Sequence, residues 1–299
     1  MKQEKNLIVM DISSHFHRSF EMVVARGEKE KPQSYFNGKP NYMIKATLNL
    51  INNEIKKLNV NPDYIVCVLD ADGDNFRHRL YPDYKGTRPP SDKEYNFMKK
   101  CCEKLLQLKG YYVIKQPDVE ADDVIATIVT KTKAVKNLNV YICTGDKDMF
   151  YLIDEKTKVF AGSENKGLGV LYDIQGCINK KGVEPKKIND FLTMDGDKVD
   201  NIMGIPNLGK KTIPIILEHF TLNEIIENPE LLYKEGLKVR GRDNIVTYIK
   251  ENKDFIKLMQ KLVIMRDDIP LGVNLRDFIK GKEDSEALKS AFKSLGLKH

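Results

Sequence analysis

Short buried-strand runs alternate with helical periods through the first 160 residues, and this alternation restricts the chain to few folds. Residues 7–10, 64–69, 111–114 and 140–143 are apolar or β-branched runs bounded by polar residues, the pattern of strands covered on both faces. Helical spacing predicts helices over 42–57, 94–108 and 120–132. Strand–helix alternation of this kind predicts an α/β fold with a mainly parallel sheet flanked by helices. Residues 159–160 and 170–172 extend the sheet near its edge. From 174 to 299 the texture is almost wholly helical, so we expect a core over 1–184 and a helical subdomain over 185–299. Two polar stretches stand out: 26–41, expected to be a mobile loop, and 71–93, a long excursion between strand and helix.

The strands end on acids. The first run ends on Asp11 and the second on Asp70, and the run at 140–143 leads through Thr144 and Gly145 to Asp146 and Asp148. In an open parallel sheet the ligand crevice lies outside the carboxyl ends of the strands, so these acids converge there. Glu120, Asp122 and Asp123 open the helix at 120–132, and Asp197 and Asp200 sit in an Asp-rich turn. Taken singly, each has an ordinary explanation: helix N-termini favour acids through the macrodipole, and Asp favours turns. Nine carboxylates meeting without cations repel one another, whereas all-oxygen ligands suit Mg²⁺ or Mn²⁺. A calcium loop at 195–206 is excluded, because Pro206 occupies the closing position that needs Glu. The whole chain carries 49 basic and 43 acidic residues. Setting the nine aside leaves 34 acids, a basic body around an acidic hole, which suits a polyanion.

Residues 72–104 hold eight basic residues, including Arg77, Arg79, Lys85 and Arg88, interleaved with Phe76, Tyr81, Tyr84 and Tyr95. Such a mixture suits single-stranded nucleic acid, although a solvated surface explains any one of them. Gly204 to Lys210 is one residue from a phosphate-binding P-loop, but Lys211 stands where Ser or Thr is required, so that reading is rejected. A hairpin whose backbone, with Lys210, Lys211 and Thr212 at a helix start, holds duplex phosphates is the better account. Five cysteines without CxxC spacing argue against a zinc site or disulfide framework, and no apolar run approaches a membrane span or signal sequence. The expected setting is cytoplasmic. The five histidines form no triad and receive no role.

The ordered set of segments resembles the 5′-nuclease family: flap endonucleases, phage 5′ exonucleases and the 5′-nuclease domain of bacterial DNA polymerase I. It comprises 8–11, 68–70, the Phe-Arg-His-Arg of 76–79, Tyr84-Lys85-Gly86, 120–123, 144–148 and 196–201 with the following glycine hairpin. The resemblance implies a Rossmann-like (PIN-like) nuclease core with an arch or clamp over 71–104. It also implies a helix–three-turn–helix (helix–hairpin–helix) near 200–219 and a stand-alone monomeric nuclease. The implied activity is metal-dependent 5′-3′ exonuclease and flap endonuclease cleavage near the 5′ end of branched, flapped or nicked DNA. Two or more Mg²⁺ (or Mn²⁺) ions, with K⁺ at the hairpin, are the implied cofactors. Asp11, Asp70, Glu120 and Asp122 would mainly serve one metal, with Asp123 as support, and Asp146, Asp148, Asp197 and Asp200 the second. Lys85, with Arg79 or Arg77, would meet the scissile phosphate. Tyr84, Arg88, Gly204, Gly209, Lys210, Lys211 and Thr212 would bind DNA. Two departures are visible: Ile12-Ser13-Ser14 follows Asp11 where the family has Gly, and Asn207 replaces a hairpin glycine. The serines are expected to cap the next helix. Removal of RNA primers, or recognition of branched DNA without catalysis, are the alternative functions.

Overall fold

The computed structural model describes residues 4–26, 35–88, 93–162, 164 and 168–298. Six strands form one sheet in the order β5-β4-β1-β6-β7-β8. They are β1 (Lys5–Asp11), β4 (Tyr64–Val68), β5 (Tyr112–Ile114), β6 (Leu138–Cys143), β7 (Thr157–Ala161) and β8 (Val170–Tyr172). All neighbours are parallel except β7 and β8, which are antiparallel at the edge. A two-residue pair, β2 (Tyr35–Phe36) with β3 (Lys39–Pro40), lies within the stretch expected to be a loop. Residues 27–34 of that stretch lie outside the described residues.

The central strand shows why the sheet is covered twice. Leu7 and Val9 of β1 join a core with α5 (Ala121–Thr132) and the C-terminal helices, whereas Ile8 and Met10 join the opposite core. That second core is closed by α1 (Ile12–Arg26), α2 (Ile44–Leu58), α4 (Lys93–Leu108) and α12 (Ser285–Ser294). Successive strand residues point to opposite faces, so a strand buried on both faces reads as a continuous apolar run. Because the first core runs unbroken from the sheet into the C-terminal helices, the two halves share one interior.

The helical half comprises α6 (Ile174–Lys181), α7 (Ile188–Asp195), α8 (Thr212–His219), α9 (Leu222–Glu227), α10 (Arg242–Glu251) and α11 (Lys253–Val263). A 3₁₀ turn at Pro185–Lys187 leads into α7, with Pro185 in the first turn, where its missing N–H is harmless. Helix α7, and not a strand, precedes the glycine hairpin, in keeping with the rejected P-loop.

The described part of the 71–104 stretch is anchored to the rest of the molecule at several points. It contains a short helix, α3 (Phe76–Leu80), while α4 buries Met98, Cys102, Leu105 and Leu106 in the second core. Tyr81 packs edge-on against Phe255, and Tyr84 joins Ile202, Met259 and Leu262 in a small cluster. Residues 89–92 lie outside the described residues.

Candidate active site

Strand β1 has β4 on one side and β6 on the other, so the winding reverses at β1 and a crevice opens at its carboxyl end. There lies a cavity of about 580 Å³ that merges with a second of about 770 Å³ facing the 195–200 turn. Together they are lined by Asp11, Asp70, Glu120, Asp122, Asp146, Asp148, Asp197 and Asp200, eight of the nine expected acids. The same lining carries Arg18, Lys85, Arg88, Lys99 and Lys147.

Hydrogen bonds fix several of these acids. Asp11 Oδ1 accepts from the Ser14 backbone N–H (3.0 Å), and its Oδ2 accepts from the Thr144 hydroxyl (2.6 Å). Asp11 itself therefore caps α1, and the serines are free for other work. Ser13 Oγ accepts from the Asp70 N–H (2.9 Å) and Ser14 Oγ from the Gly145 N–H (3.0 Å). The first turn of α1 thus stitches the ends of three strands together. Asp70 Oδ1 accepts from the Ala121 N–H at the start of α5 (2.8 Å), and Asp146 Oδ1 accepts from the Asp148 N–H (2.8 Å).

Burial and crowding act strongly on this wall. Desolvation, followed by the Asp146, Asp11, Glu120 and Asp70 charges, raises the Asp122 carboxyl well above its ordinary value. Burial pushes Asp11 up to about 6, and burial with the Asp146 charge pushes Asp148 up to about 7. Asp146 is raised as well, by burial and by Asp200 and Asp197. The other end of the cleft is different. Burial works against the Glu120 charge too, but Lys85 and Arg77 outweigh it and hold the carboxyl below its ordinary range. Glu120 is bonded by Lys85 Nζ, by the Tyr84 hydroxyl (3.0 Å) and by Asn75 Nδ2 (3.1 Å). Arg88 pairs with Asp200, and Lys85 Nζ lies 3.7 Å from the same carboxylate.

The donor chemistry fits a hard divalent cation: every candidate ligand is a carboxylate, and the repulsion among them is what a cation would relieve. As they stand, no three metal-ligating side chains converge closely enough to hold one ion among the described residues. Glu120 and Asp200 are turned towards Lys85 and Arg88 instead.

Four expectations are corrected by the geometry. Asp123 is fully buried and absent from the cleft lining; it takes a bidentate pair from Arg77 (2.7 and 2.8 Å) and accepts the Glu120 and Arg266 N–H groups. It closes the capping box of α5. Arg77 is 2% exposed, with Nε on the Leu262 carbonyl (2.8 Å), so it ties α5 to the end of α11 and is not free to meet a phosphate. Arg79 points outward, 62% exposed, on Asp118. Tyr84 is buried with its hydroxyl on Glu120, so it positions an acid and presents no stacking face.

Residues 196–211 connect α7 to α8. Asn207 takes φ 64°, the left-handed region that Asn tolerates. Gly204 serves packing: a Cβ there would lie 2.4 Å from the Asp195 carbonyl oxygen, whereas Gly209 faces open space. Lys210 is exposed and pairs with Asp195 at 3.1 Å; Lys211 is exposed, and Thr212 opens α8. Sequence reasoning missed His15, Arg18, Glu54 and Thr144. The role of Thr144 was not legible from local spacing, because its hydroxyl donates to Asp11, 133 residues earlier in the chain.

A family description, the 5′-3′ exonuclease N-terminal resolvase-like domain, matches residues 6–184, and the 5′-3′ exonuclease C-terminal SAM fold matches 183–286. The chain is 30% identical over 295 residues to a 5′-3′ exonuclease of Aquifex aeolicus, covering 98% of this chain and 93% of that protein. It is 30% identical over 298 residues to DNA polymerase I of Pseudomonas aeruginosa, covering 98% of this chain but spanning only 31% of the polymerase. Among solved structures, it resembles the bacteriophage T5 flap endonuclease in a pseudo-enzyme-product complex with DNA and metal ions. The TM-score is 0.66 at 18% identity, over 98% of this chain and 100% of that one, a likeness of fold.

Proposed function

The chain belongs to the 5′-3′ exonuclease family, and we propose that its cleft hydrolyses phosphodiester bonds at or near the 5′ ends of flapped, branched or nicked DNA, in replication or repair. The observation that carries this reading is the meeting of eight acids, drawn from five separate segments, in a cleft whose rim also carries basic side chains. A polyanion is drawn to the rim, while the acids exclude it from the floor unless cations intervene. The phage relative's complex with DNA and metal ions supports the same pairing here.

Asp11, Asp70, Glu120 and Asp122 would hold one divalent ion, Mg²⁺ or Mn²⁺, and Asp146, Asp148, Asp197 and Asp200 a second. Such ions supply Lewis-acid polarisation of the phosphodiester and lower the pKa of water. The rest falls to the chain. Lys85 brings its ammonium group to the edge of the acid wall, where it neutralises charge developing on the phosphate. Its backbone is held in the left-handed region (φ 55°) by a bond from its N–H to the Asp200 carbonyl (3.0 Å), so the amine enters the cleft at a fixed angle. Arg88 at the rim follows the strand, and Lys210, Lys211 and the start of α8 grip duplex phosphates as a helix–hairpin–helix. The open face at Gly209 leaves the backbone accessible for that contact and for K⁺.

The test is a 5′-flap duplex labelled at each end, with DNA or RNA in the 5′ strand, incubated with Mg²⁺, Mn²⁺, Ca²⁺ or EDTA. Cleavage near the flap junction with Mg²⁺ or Mn²⁺, binding without cleavage in Ca²⁺, and silence in EDTA are expected. Full activity in excess EDTA would refute the reading.

A further inference from the structure

Beneath Asp11 lies a buried ionic chain that the cleft chemistry does not use directly. His15 of α1 and Glu54 of α2 are both fully buried, with His15 Nε2 2.8 Å from Glu54 Oε2. Glu54 Oε1 accepts from Arg18 Nη1 at 2.7 Å. On its other side the His15 ring bonds through Nδ1 to the main-chain carbonyl of Asp11. A carbonyl can only accept, so Nδ1–H donates to Asp11, while Nε2 faces the Glu54 carboxylate. Room for Glu54 is made by Gly162, where a Cβ would stand 2.1 Å from Oε1.

We propose that His15, Glu54 and Arg18 are positioning residues that hold Asp11 and the 144–148 loop in register with each other. The inference rests on the reading of the cleft as a metal-dependent nuclease site. Stability alone is a poor explanation of the chain, because buried ion pairs are often matched or bettered by well-packed apolar side chains. The surroundings are apolar, with Ile8, Met10, Phe16 and Ile51 in the same core. What an apolar pair would lack is the connection at each end. At one end stands the backbone of Asp11. At the other, Arg18 lines the cleft and passes under Gly145, its Cδ 3.0 Å from where a Gly145 Cβ would lie. Asp11 and the loop also meet directly, through Thr144 and Ser14, so the chain braces from below a contact that the cleft makes from above. Hydrogen-bonded partners behind metal ligands typically contribute 10–100-fold to metal affinity or activity.

The experiment compares wild type with Glu54→Gln and with the paired apolar replacement His15→Phe with Glu54→Leu. The readouts are calorimetric Mn²⁺ titration, thermal melting, and kcat and KM on a 5′-flap substrate. The apolar pair should melt close to wild type, yet bind Mn²⁺ roughly 10–100-fold more weakly, with kcat reduced and KM for DNA unchanged. Glu54→Gln keeps an acceptor for one neighbour and should recover part of the loss. Should the apolar pair fail to fold, His15→Asn, which retains a donor near the Nδ1 position, is read in the same way. A folded variant with wild-type Mn²⁺ affinity and kcat overturns the proposal, as does a lowered melting point with both unchanged. A wild-type protein that neither binds Mn²⁺ nor cleaves overturns the reading of the cleft, and this inference with it.

Discussion

The two ends of the cleft hold the same kind of side chain in opposite states. Around Asp11, Asp122, Asp146 and Asp148, burial and like charges push carboxyls up. Around Glu120, the cations Lys85 and Arg77 overcome burial and push a carboxyl down. Residue type does not set the difference; the supply of counter-charge does. The first end receives little counter-charge from the chain, and the second is already neutralised by it. A phosphodiester lying across both would meet cation-dependent chemistry on one side and built-in cations on the other.

The sharpest way to break the contrast is Asp146→Asn, which removes charge from the crowded end while keeping shape. Single-turnover cleavage should fall by roughly 10³-fold or more, a loss of several kcal/mol of transition-state stabilisation. DNA affinity, read by anisotropy in Ca²⁺, should hold or rise as repulsion falls. Near-normal cleavage would remove Asp146 from the machinery.

Arg77→Ala tests the opposite end through stability. It leaves Asp123 buried without its partner, so chemical denaturation should register a loss of about 3–5 kcal/mol. Arg79→Ala removes a solvent-exposed pair and should leave the midpoint unchanged. Equal effects from the two would contradict the buried bidentate geometry.

Lys85→Ala separates built-in from recruited charge. Single-turnover cleavage should fall roughly 10²–10³-fold, the range for losing one preorganised partner. Divalent-ion binding should survive or tighten, because Glu120 and Asp200 lose a competitor. Loss of metal binding with the rate intact would reverse the assignment.

The smallest effect is in pH. Asp11 and Asp148 have folded values near 6 and 7 against an ordinary 3.8, so the folded state binds their protons more tightly than the unfolded chain does. Metal-free protein should therefore gain stability as pH falls from 8 through 7 and 6, by up to about 1.4 kcal/mol per unit per group, levelling off below 4. Glu54, held down at about 2 against burial by His15 and Arg18, works the other way: its contribution is present above its ordinary 4.5 and is lost as pH drops towards 2. Melting curves from pH 8 to 3 without metal, repeated in saturating Mg²⁺, read both. A flat profile between pH 8 and 5 without metal would count against the crowded end.

The sheet was readable because its strands are buried on both faces, and the acids were readable because parallel strands deliver their ends to one edge. What could not be read was the use of a side chain once delivered. Asp122 and Asp123 are neighbours on one helix turn, yet one lines the cleft and the other is sealed under Arg77. The choice depends on where 262–266 returns in space, about 140 residues later. Tyr84 suggested base stacking by composition, but Ile202, Met259 and Leu262 enclose it. The family departure at Ser13-Ser14 suggested only a cap, because their partners at Asp70 and Gly145 belong to distant strands.

The central place of β1 carries a consequence for how such a chain can change over time. Its residues are registered against β4 on one side and β6 on the other, five pairs and six pairs respectively. Adding or deleting a single residue within 5–11 would exchange the two faces of the strand, sending Leu7 and Val9 into the wrong core. It would also carry Asp11 about 3.3 Å along the strand. Surface connections can lengthen or shorten at little cost. The seven residues of β1 have no such latitude: their length is fixed by two neighbours and two cores at once, so variation there must proceed by substitution alone.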